Sequence, residues 1–190
     1  MLRYILGSVV ILSSPLSPHS LSNLLHVSKE EVDQTLDDLH AILDVAKDQT
    51  HPLRLHHPSF RDFLLNKDRC NDSNFWVDEK HAHQRLAGSC IQLLLTSLKE
   101  DICGVTIPGT LVADIENSRV EQCLPLEVQY ACLYWVQHLQ RSGTQLRDND
   151  DIDQFLRSHF LYWLEALSWM QKISEAILQI ISLESVSLVS

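Results

Sequence analysis

Along residues 2–10, Leu2, Ile5, Leu6, Val9 and Val10 fall on one side of a helix, which predicts a buried first helix. After the turn SSPLSP, Leu21, Leu24 and Leu25 form the apolar side of a short second helix. Ser17 is its N-cap and Pro18 its first residue. In SKEEVDQTLDDLHAIL, Ser28 and Glu31 have capping-box spacing, and Val32, Leu36, Leu39 and Leu43 form one stripe of a third helix. The period then changes. A strand around Leu43 to Ala46, the polar turn KDQTHP and a strand from Leu53 to His57 predict a hairpin. Pro58 and Ser59 open another short helix, anchored by Phe60, Phe63 and Leu64. Three helices followed by a two-stranded wing is a winged-helix arrangement, expected over residues 1–66.

From Lys67 onward the pattern is helical, after a loop at KDRCNDSN. Ala82, Leu86, Cys90, Leu94 and Leu98 make one row of a helix, with Ala87, Ile91 and Leu95 beside it. Gly104, Pro108 and Gly109 interrupt the chain. A helix from about Pro125 to Arg141 follows on Val128, Cys132, Trp135, Val136 and Leu139. Another begins near Asp150 with Ile152, Phe155, Leu156, Phe160, Trp163, Leu164 and Leu167 inward, and the last carries Ile173, Ile177, Ile180 and Ile181. No fixed period relates these helices, so residues 67–190 are expected to form an irregular helical arm or superhelix. The fold class is mainly α.

A chain of 190 residues is long enough to bury an ordinary core. The five cysteines are an odd number without a CxxC pair, which points to reduced, buried thiols and a cytoplasmic or nuclear setting. MLRYILGSVVILSSPLS has some features of a secretion signal, but its one-sided apolar spacing and the odd cysteines favour a buried helix. No segment approaches membrane-spanning length. The net charge of -10 makes bare nucleic acid and anionic membranes poor partners, leaving protein surfaces. The third helix holds Glu30, Glu31, Asp33, Asp37 and Asp38 against Lys29, which opposes DNA readout by that helix.

Candidate chemistry narrows to one junction. No G-x-S-x-G elbow, cysteine–histidine nucleophile signature or phosphate-cradling G-x-x-x-x-G-K-[ST] is present, so no enzyme activity is expected of this chain. His81 and His83 lie two apart and read as solvated, without metal-ligand spacing. DNDDID lacks the glycine and closing glutamate of a calcium loop and reads as a helix cap. At RLHHPSFRDFLL, strand alternation puts His57 on the side of Leu53 and Leu55, pointing inward, just before a helix N-terminus that Ser59 and Asp62 can cap. An inward imidazole there is either a core histidine held by a carbonyl or a contact for an anion.

The segment LHHPSFRDFLL, with the three helices before it and YACLYWVQHL and YWLEALSWM after it, resembles fungal NACHT-type signal-transducing NTPases. These include the HET-E-type incompatibility proteins and relatives with WD repeats. The resemblance implies the region after a nucleotide-binding domain: a winged helix and a helical arm leading to C-terminal repeats. In the similar NOD-like receptors, a winged-helix histidine contacts the β-phosphate of ADP and holds the inactive state. His57 falls where that M-H-D motif would lie, with Pro58 in place of its aspartate. The implied cofactor is ADP or ATP in a full-length relative and none in isolation. The implied partners are an NTPase domain and C-terminal repeats, in cis or in trans, in nonself recognition and programmed cell death. A stand-alone helical adaptor and a DNA-binding regulator are the alternatives.

Overall fold

A computed structural model of the chain describes residues 1–44, 51–72, 75–105, 117–145 and 150–187. It is mainly helical. The described residues form, in order, α1 (Leu2–Ile11), α2 (Pro18–Leu25), α3 (Lys29–Asp38), β1 (Leu43–Asp44), β2 (Arg54–Leu55) and α4 (Pro58–Leu65). There follow α5 (Glu79–Ser97), α6 (Asn117–Cys123), α7 (Leu126–Ser142), α8 (Asp151–Trp169) and α9 (Ile173–Ser187).

Local chemistry sets the starts of most of these helices. Ser17 accepts from the Ser20 N–H at the head of α2, and Ser28 and Glu31 close a reciprocal capping box at α3. Asp78 caps α5 through the His81 N–H, and Asp150 caps α8 through the Ile152 and Asp153 N–H groups. Each satisfies donors that the first helical turn leaves unpaired. Gly143, in the left-handed region at φ 69, ends α7.

The stripe Val32, Leu36, Leu39 and Leu43 is buried, although α3 stops at Asp38 and Leu39 serves as its C-cap. The acidic side chains Glu30, Glu31, Asp37 and Asp38 stand exposed on its other side. β1 and β2 pair antiparallel, with Leu43 opposite Leu55 and Asp44 opposite Arg54. The second strand is shorter than the alternation suggested. Val45, Ala46 and the start of the turn, through Thr50, lie outside the described residues. The Leu53 N–H donates to the Leu16 carbonyl at 2.8 Å, tying the second strand to the segment after α1.

The arm is built around α5 and α7, which make the most extensive helix–helix contact. Trp135 sits at its centre, edge-on to Phe155 at 5.5 Å and to Trp163 at 5.7 Å between ring centroids. The Trp163 indole N–H donates to the Cys132 carbonyl at 3.0 Å, so the large ring is buried with its polar atom satisfied. α6 was not anticipated from the sequence. α9 covers the arm with Ala176, Gln179 and Leu183, whereas Ile173, Ile177 and Ile181 face outward. Of the expected isoleucine row only Ile180, half-buried, packs against the core.

One hydrophobic core runs through all of this. Ile5, Leu6 and Leu21 belong to the same cluster as Leu86, Ile91, Trp135 and Phe155, because α1 and α2 lie against α5 and α7. All five cysteines are free thiols, and four of them are buried. Among the described residues no helix is long and apolar enough to cross a membrane.

Candidate functional site

The junction at the start of α4 is built differently from the sequence expectation. His57 is exposed. The strand ends at Leu55 and the chain bends at His56, whose N–H donates to the Ile42 carbonyl at 3.0 Å. Period-two alternation cannot be carried across that bend, so Leu53 is buried, Leu55 is half-buried and His57 turns outward.

His57, and not Ser59, is the N-cap of α4. Its Nδ1 accepts from the Ser59 N–H at 3.1 Å and lies 2.7 Å from the Ser59 hydroxyl. Pro58 has no N–H, and the Phe60 N–H donates to the His57 carbonyl at 3.1 Å. The first-turn donors that would make a ready anion site are thus absent or already used. Asp62 is exposed and makes no hydrogen bond or ion pair among the described residues, so the cap expected of it does not form. What the junction offers outward is one donor. With Nδ1 accepting, the proton of the neutral imidazole sits on Nε2.

Arg61, one turn into α4, reaches inward. Its Nε donates to the Val10 carbonyl at 3.0 Å, and its guanidinium lies 3.5 Å from the Glu79 carboxylate. α4 is thereby fastened both to the end of α1 and to the head of α5. Behind Glu79 lies His83, which is completely buried and not solvated as its sequence context suggested. Its signal was present: His83 lies four residues before Ala87 and eight before Ile91, on the covered side of α5.

His83 and the equally buried His138 face each other, Nδ1 to Nδ1, at 2.8 Å. Tyr130 Oη lies 2.7 Å from His138 Nε2 and accepts from the Ser13 N–H at 3.1 Å. One proton arrangement leaves the fewest groups unpaired. The Tyr130 hydroxyl donates to His138 Nε2, His138 Nδ1–H donates to His83 Nδ1, and His83 keeps its proton on Nε2. That last N–H is buried without a partner, 3.9 Å from the Glu79 carboxylate, too far for a hydrogen bond.

The arrangement requires both rings to be neutral, and their surroundings keep them so. Burial, then the Arg141 and Arg61 charges, hold His83 down to about 4. Burial, then His83 and Arg141, hold His138 down to about 3. Burial also pushes the Tyr130 phenol above its ordinary value, so it remains a donor. Among the described residues no group of three His, Cys, Asp or Glu gathers as a metal would need. The network is a directional tie from the segment after α1, through α7, to α5.

Over 209 residues the chain is 29% identical to the vegetative incompatibility protein HET-E-1 of Podospora anserina. That alignment covers 96% of this chain but only 15% of the relative, so the chain spans a small part of that protein's length. No protein-family model matches the chain, and no solved structure is significantly similar to it.

Proposed function

We propose that this chain is the regulatory winged-helix and helical-arm portion of a HET-E-like, NACHT-type signalling NTPase, non-catalytic by itself and cytoplasmic. The observation that carries the reading is the similarity to HET-E-1 across 96% of the chain, confined to 15% of that protein. Three helices, an antiparallel strand pair and a short helix over residues 1–66 support the winged-helix assignment. Residues 67–190 would be the arm.

In this reading ADP or ATP is held by a separate NTPase domain, which meets this module in cis or in trans, with C-terminal repeats as the other partner. His57 is the contact. Its exposed Nε2–H stands at the positive end of α4, where it can donate to a phosphate oxygen presented from another domain. It biases the switch toward the ADP state only by the difference between its contacts in the two states. The test is His57→Ala in a chain carrying the NTPase domain, with ADP retention and spontaneous signalling measured. Faster ADP loss and signalling without stimulus are expected, and unchanged retention removes the sensor role.

A stand-alone helical adaptor is the second reading. It is favoured by the exposed isoleucines of α9 and would bind a protein partner without nucleotide. The exposed acidic side of α3 favours neither reading but would meet DNA phosphates with like charge.

A further inference from the structure

A cleft of about 560 Å³ lies between α2, α5, α6 and the start of α7, away from the α4 junction. Glu127 forms part of its wall and is 7% exposed. Its carboxylate accepts from Asn23 Nδ2 at 2.6 Å and has no ion-pair partner among the described residues. A buried carboxylate is normally matched by a cation or by several donors, because desolvating the charge is costly. One neutral amide supplies neither.

Glu127 does occupy the first turn of α7, whose N-cap, Pro125, provides no side-chain hydrogen bond. The helix dipole therefore favours a negative charge there, but its contribution is a fraction of what desolvating a carboxylate costs. A carboxylate also has about four lone-pair directions, and Asn23 fills one.

Two hydroxyls of the wall, Ser22 and Thr96, suit the same kind of ligand. The Ser22 hydroxyl donates to the His19 carbonyl at 2.7 Å, and the Thr96 hydroxyl donates to the Leu93 and Gln92 carbonyls. Both oxygens have spent their only hydrogen and can offer only lone pairs. The cleft thus presents Glu127, Ser22 and Thr96 as acceptors from three different helices. The chain's net charge of -10 adds a long-range attraction for cations.

We propose that this cleft binds a cation rich in N–H donors, an ammonium or guanidinium group, with Glu127 as its counter-ion. The group comes from a lysine or arginine side chain of a protein partner or from a free amine. The test titrates the full-length, isotope-labelled chain with butylammonium and with guanidinium, following backbone amides by NMR. Tetramethylammonium, a cation without N–H donors, is the control. Saturable shifts at Asn23 and Val128 are expected from the first two probes and none from the control. Glu127→Gln, with its fold checked by circular dichroism, should weaken binding at least tenfold.

Thr96→Val removes one acceptor without charge change and should weaken binding severalfold, so it decides the matter if Glu127→Gln fails to fold. Absence of shifts at α2 and α7, equal binding of tetramethylammonium, or unchanged affinity in a folded variant would overturn the proposal. Blocked Gly-Lys-Gly and Gly-Arg-Gly peptides tell the sources apart. Tighter binding than the free probes supports a protein side chain, and equal or weaker binding supports a free amine.

Discussion

At the residue scale, the buried imidazoles tie stability to pH. His83 and His138 titrate near 4 and 3 in the folded chain, against an ordinary value of 6.5. Between those limits the unfolded chain binds protons that the folded chain does not, so unfolding free energy rises with pH in that window. The contribution is complete above about 6.5 and drains away as pH falls toward 4 and then 3. Urea unfolding at several pH values should show stability falling below neutrality. A double variant with leucine at His83 and His138 should have a flatter profile between pH 7 and 5, and an identical slope would mean that the rings are not held neutral. Tyr130→Phe probes the same network at fixed pH. It leaves the Ser13 N–H and His138 Nε2 without their partner, at a cost of about 1–3 kcal/mol. A loss below a few tenths would mean that water replaces the hydroxyl.

At the element scale, the long helices carry positions where helix propensity alone decides. Gly88 lies inside α5 with nothing within 4 Å of a would-be Cβ. Gly88→Ala should therefore stabilise the chain by about 0.5–1 kcal/mol, read as a higher midpoint in thermal or urea unfolding. The opposite sign would place a neighbour over that face. The same local physics made the caps Ser17, Ser28 with Glu31, and Asp150 readable from sequence, since each satisfies its own helix's first-turn donors. The core rows of α1, α3, α5 and α7 were readable for the same reason, their period being that of the helix. Besides α6, three features were not. The outward turn of His57 follows from a bend at His56 that no alternation rule carries. The burial of His83 depends on His138, 55 positions away, being there to receive it. In α9 both sides are apolar, so periodicity could not say that Ala176, Gln179 and Leu183 would be covered and Ile173, Ile177 and Ile181 left bare.

At the scale of the whole molecule, the two portions expected from the sequence share one interior. Tyr4 of α1 is hydrogen-bonded to Ser89 of α5 at 2.8 Å, Ser13 to both Tyr130 and Gln137 of α7, Asn23 of α2 to Glu127, and Arg61 is paired with Glu79. Around these bonds Ile5, Leu6 and Val9 of α1 belong to the cluster that contains Leu86, Cys90 and Ile91 of α5. A fragment ending at Asn66 would expose that apolar face and leave those polar groups to water. Small domains bury the smallest fraction of their surface and have the least stability to lose. Residues 1–66 alone should therefore be largely unfolded by circular dichroism, while the full chain loses far-ultraviolet helix signal and tryptophan fluorescence in one coincident transition. A folded fragment, or two separated transitions, would instead mean that the first portion is an autonomous domain resting on the arm. The distinction bears directly on the proposed regulatory role. Because the core is shared, force or contact applied at α4 reaches α5 through the Arg61–Glu79 pair, and α7 from α5 through His83 and His138, without any hinge at residue 66. If the chain is the regulatory portion proposed above, it would then move as one body.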